Sequence, residues 1–142
     1  MYLFLLITHF IGLAMGVGTG FAAMALGKAS SDLAPPERAQ FMLRASAIRV
    51  NGSVGLLLLL LSGLGMLFLR GVRETFAWGG GAFHLKLTLI VLLIGVFGYM
   101  QVLQKKARIA QGGPAMARIP KIAAVMLVLN VSIIVSAVLA FK

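Results

Sequence analysis

Cysteine is missing from all 142 residues, and acidic side chains are nearly so, with Asp32, Glu37 and Glu74 the only three. The first absence excludes disulfides, thiolate metal sites and cysteine-ligated clusters. The second leaves 13 Lys and Arg residues with almost no acids to pair with, for a formal net charge of +10. Charged residues make up 11% of the chain and hydrophobic ones 61%, whereas a soluble domain has roughly a quarter of its residues charged. These proportions exclude a water-soluble globule and describe an integral membrane protein. The basic residues sit between apolar runs, where anionic head groups and the insertion machinery account for them, so no nucleic-acid partner follows from the charge. Histidine, lysine and asparagine are what remain for buried chemistry.

What is present is a set of long apolar runs. A hydrocarbon core of ~30 Å is crossed by about 20 helical residues. Runs of that kind occupy residues 2–27, 51–69, 83–103 and 122–141. The first resembles a signal peptide only loosely: Ala23, Met24 and Ala25 suggest a cleavage site, but no basic segment precedes a run far longer than the roughly 7 to 15 residues of a signal core. It reads as a mature helix. Four spans with short links predict an all-α, antiparallel four-helix membrane bundle, with residues 1–142 as a single domain.

The connections differ sharply in charge. Segments 28–50 and 104–121 hold Lys28, Arg38, Arg44, Arg49, Lys105, Lys106, Arg108, Arg118 and Lys121. The opposite side has Arg70, Arg73, Lys86 and Lys142. The positive-inside rule makes 28–50 and 104–121 cytoplasmic and 70–82 external, and puts both termini on the non-cytoplasmic side of the inner (plasma) membrane. Within 28–50, Pro35 and Pro36 suit a helix start, and the Arg-rich stretch after them reads as a polar approach continuous with the second span. Within 70–82, Trp78 is placed as an interfacial aromatic and Gly79 to Gly81 as a flexible joint. Residues 112 to 114, Gly-Gly-Pro, mark the turn before the last span.

Helices in lipid associate through small and polar residues, so these mark the faces turned inward. On the first span Gly12, Gly16 and Gly20 recur every four residues, and His9 continues the same ridge. Asn51, Gly55, Ser62 and Gly65 share a side of the second span. On the third, His84, Thr88, Val91, Gly95 and Gly98 share another, with Lys86 rotated about 200° from His84. Asn130 occupies the fourth. Gly16 to Gly20 is not a nucleotide loop, because no strand precedes it and it lies within lipid.

Depth joins some of these residues. His9 lies about 10 Å into the first helix at 1.5 Å per residue. His84 and Lys86 open the third span on that same side, near Arg70 at the end of the second. Two imidazoles flanked by cations offer nitrogens for haem iron and basic groups for its propionates. Each residue also has a plainer reading: His9 as a hydrogen-bond partner of a neighbouring helix, His84 as a wetted interfacial residue, and Lys86 as a lysine snorkelling to the surface.

The segment HLKLTLIVLLIGVFGYM, residues 84–100, resembles the third span of the HemJ-type protoporphyrinogen oxidases and their CopD-like membrane relatives. There an H-x-K sequence leads into a long Leu/Val run, and a histidine opens the first span, as His9 does here. The resemblance implies haem b bound between the first and third spans with His9 as the iron ligand, and the common depth puts His84 and Arg70 beside that cofactor. It further implies Lys86 as the catalytic group and oxidation of protoporphyrinogen IX as the reaction. The chain departs from the family where a tryptophan and an arginine commonly stand in the first span, here the Gly16 to Gly20 run. Val96 and Phe97 likewise replace a Tyr-His pair of the third.

Two function classes therefore stand. One is a haem-binding oxidoreductase. The other is a noncatalytic accessory or scaffold subunit whose glycine-rich helix faces serve a homo-oligomer or a larger membrane complex. An ion carrier is disfavoured, because no acid lies within a span.

Overall fold

The computed structural model describes residues 1–78, 80–111 and 113–140. Helix α1 runs Tyr2–Ala29, α2 Pro35–Ala45, α3 Arg49–Arg70, α4 Val72–Trp78, α5 Gly80–Ile109 and α6 Gly113–Ala140, with a 3₁₀ turn at Ser46–Ile48 joining α2 to α3. The protein is all-α, with no strand among the described residues. Four helices are long and apolar enough to cross a membrane: Tyr2–Ala29, the continuous Pro35–Arg70, Gly80–Ile109 and Gly113–Leu139. Side chains such as Phe4, Phe10, Phe21, Phe68, Val91 and Val128 point away from the bundle. So large an apolar exterior is stable only against lipid.

The bundle is built from two tight pairs, α1 with α3 and α5 with α6, joined mainly where α1 meets α6. Glycine makes the first pair possible. A Cβ on Gly12 would lie 2.8 Å from the Gly55 carbonyl oxygen, and one on Gly55 would lie 2.9 Å from the Gly12 oxygen and the Gly16 nitrogen. The two backbones touch there, in the close approach that small residues permit. Above and below, Leu5 meets Gly65 and Thr19 meets Gly52. This falling register shows the pair to be antiparallel. The second pair closes on larger side chains of α5, with Phe83, Leu93, Met100, Leu103 and Ala107 buried.

Several expectations are corrected. The connections expected over 70–82 and 104–121 are largely helical, whereas the helix start at Pro35 and its continuation into the second span are as expected. Charged residues do not stop a helix that leaves the hydrocarbon for head groups and water, so α5 continues to Ile109 and α6 begins at Gly113. Pro120 lies inside α6 rather than in a loop. Between α3 and α4 the chain turns on Gly71, whose φ of +87° is a left-handed conformation suited to glycine. Gly80 and Gly81 belong to α5 instead of forming a joint. Gly79, Gly112, Phe141, Lys142 and the Trp78 side chain lie outside the described residues.

Two inward faces are also revised. Asn51 is exposed and Gly52 is buried in its place. On α5, His84, Thr88, Val91, Gly95 and Gly98 are all exposed, Val91 at 68%. The opposite, bulkier face of α5 is the buried one, and α6 is the helix that α5 meets most.

Candidate functional site

His9 faces α3. Its Nδ1 lies 2.9 Å from the Ser62 hydroxyl oxygen, and Ser62 is 1% exposed. That hydroxyl also lies within hydrogen-bond distance of the Leu58 and Leu59 carbonyls one turn back along α3. Which partner donates across the His9–Ser62 contact depends on the ring tautomer. Glycine again makes the seat: a Cβ on Gly63 would stand 3.4 Å from His9 Cε1.

Lys86, half-buried on α5, lies within electrostatic reach of this ring. Arg70, the last residue of α3, holds its guanidinium 5.3 Å from the centre of the Tyr2 ring at the start of α1. Contact of this kind is a cation–π pairing. These contacts put the start of α1, the end of α3 and the start of α5 at one end of the bundle. His84 is at that end but on the outer side of α5. Its Nδ1 donates to or accepts from its own helix, 2.8 Å from the Gly80 carbonyl oxygen, and since that oxygen can only accept, the ring nitrogen donates. Its ring stacks edge-on with Phe76 of α4 at 5.5 Å.

The arrangement thus unites His9 with Lys86, adds Arg70 at the rim, and turns His84 toward the surroundings. Sequence reasoning placed Ser62 on the right side of α3 without assigning it to His9. The signal was the spacing of Ser62 and Gly63 ahead of Arg70, opposite a histidine at matching depth. No group of three or more His, Cys, Asp or Glu that could hold a metal ion occurs among the described residues. The donor set is instead that of a single imidazole with basic neighbours. A ligand histidine with its other nitrogen hydrogen-bonded is the common arrangement at metal centres, since that bond fixes the tautomer and the ring plane.

A second polar cluster was missed. At the other end of the bundle Arg49 donates to Gln104 Oε1 at 3.2 Å, and Gln101 donates to the Ser53 hydroxyl at 3.3 Å. These bonds join α3 to α5. The signal was available: Gln101 and Gln104 are three apart, on one face of a helix.

Fold and cluster together define a multi-pass, all-α membrane bundle with one half-buried imidazole between α1 and α3. No family model, curated protein or solved structure matches this chain.

Proposed function

We propose that the protein is an inner-membrane haem b protein that carries out porphyrin or related redox chemistry of the HemJ type. The observation that carries this reading is the half-buried His9 imidazole held on Ser62, with Lys86 within electrostatic reach of the ring. His9 would ligate the iron, while Lys86 and Arg70 would neutralise the propionates, with His84 at the rim. Haem, when bound, supplies one-electron chemistry. Lys86, close to the imidazole, is the residue to hold or give a proton to a substrate at that face. Both termini are assigned to the non-cytoplasmic side.

The visible spectrum of protein purified from haem-replete cells tests the proposal. A Soret band that is lost in His9→Ala and shifted in Ser62→Ala is expected. A colourless, folded preparation would overturn it. For orientation, single cysteines at Ser31 and Thr75 are labelled in intact cells with a membrane-impermeant reagent. Labelling at 75 and not at 31 is expected, and the reverse inverts the topology.

One observation favours a second reading, an accessory subunit of a membrane complex. The Thr88, Gly95 and Gly98 face of α5 is exposed, and nothing lies within 4 Å of where a Cβ on Gly95 or Gly98 would be. A face so smooth suits close approach by another helix. Disulfide crosslinking of Gly98→Cys protein in membranes should give a dimer, while Val128→Cys on α6 should not. Equal crosslinking of the two would remove this reading.

A further inference from the structure

The polar cluster at the opposite end borders a space that the proposed haem site does not use. Enclosed by the four spanning helices and α2 is a cavity of about 140 Å³. Leu56, Leu59, Phe97 and Leu127 give it apolar walls, whereas Arg49 and Gln104 stand together on its lining. None of His9, His84, Lys86 and Arg70 borders it. The lining contains no carboxylate. Of the acids, Asp32 accepts from Ser31, Glu74 lies against Gly71, and Glu37 is in the exposed first turn of α2.

Arg49 is half-buried and brings a planar fork of five N–H donors, one of which is taken by Gln104. A guanidinium facing an apolar space is costly without an anion or water to meet it. Its shape suits an oxygen acid, which it can grip through two parallel bonds. The space beyond limits the rest of the ligand. An apolar cavity of about 150 Å³ takes up a benzene-sized group, so this one admits a single narrow chain and excludes a tetrapyrrole or a two-chained lipid tail. Met42, Ala45 and Ser46, from α2 and the turn after it, close the end beside Arg49. Exposed Arg38 and Arg44 on α2 face the anionic surface from which such a ligand would come.

We propose that this cavity binds a short-chain carboxylic acid of about six carbons, the benzene-sized limit set by its volume, with its carboxylate on Arg49 and its chain among Leu56, Leu59 and Phe97. The assignment is independent of haem.

The test uses full-length protein in phosphatidylcholine nanodiscs with hexanoic acid carrying a diazirine near its end, and reads the crosslinked residues by mass spectrometry. Labelling of cavity residues, displaced by hexanoate and not by hexanol, is expected. Arg49→Gln should lower capture about tenfold or more, the usual scale for loss of a charged hydrogen-bond partner, and Arg49→Lys should retain most of it. Ala123→Leu, which fills the cavity while keeping Arg49, should abolish capture in protein that elutes like the parent. Arg44→Gln should leave it unchanged. Label confined to outward residues such as Val91 and Val128, equal displacement by hexanol, or undiminished capture in folded Ala123→Leu would overturn the proposal.

Discussion

The two glycine patterns of this protein look alike in sequence and end in opposite environments. On α1 and α3, Gly12 and Gly55 bring backbones into contact, each closer than a methyl group would tolerate. On α5, Gly95 and Gly98 meet nothing. The difference lies in the partner. Gly12 lies opposite another glycine at the same depth, so both helices lose bulk at the crossing and van der Waals contact extends along the backbone. The α5 glycines have no counterpart on α6, and the larger face of α5 makes that pair. A small-residue stripe is thus half of an interface.

Substitutions that add one methyl group test this contrast. The largest effect is expected for Gly12→Ala and Gly55→Ala, where the clash is with backbone that cannot turn aside. A loss of about 2–3 kcal/mol follows from overpacking of this sort, readable by steric trapping or by thermal unfolding in detergent. Ser62→Ala should come next. It strips His9 Nδ1 of its hydrogen-bond partner at a cost of about 1–2 kcal/mol. Gly65→Ala would bring its methyl to 3.0 Å from the flexible end of Leu5. That side chain can move, so a loss below about 1 kcal/mol is expected. Gly95→Ala should be neutral or stabilising by up to about 1 kcal/mol, since alanine is the better helix former. A penalty at Gly95 as large as that at Gly12 would dissolve the contrast and show that α5 is covered in the assembled protein.

The two ends of the bundle make a related contrast. At the end bearing His9 the polar groups satisfy one another locally: ring to hydroxyl, hydroxyl to backbone, guanidinium to aromatic ring. At the other end Arg49 bonds to Gln104 and lines a cavity whose walls are mostly apolar.

Much of this was legible beforehand. Apolar runs near 20 residues and a shortage of acids imply spanning helices whatever their neighbours, because a backbone in hydrocarbon must bond to itself. The common depth of His9, Lys86 and Arg70 also followed from counting rises along antiparallel helices. Helix ends were harder, since Lys105, Lys106 and Arg108 signal departure from lipid and not the end of a helix. The faces of α5 were misjudged because one helix carried both a glycine stripe and a row of large apolar residues, and either could have turned inward.

Composition and run length determined the class of protein and the number of crossings, through the cost of leaving peptide groups unbonded in lipid and the length needed to cross it. Only the tertiary structure decided which glycines meet, that His9 meets Ser62, and that Arg49 borders a cavity. Each of those depends on which helix stands opposite, at what depth and how near, and distances between helices are set by packing of the whole bundle, not by any one segment.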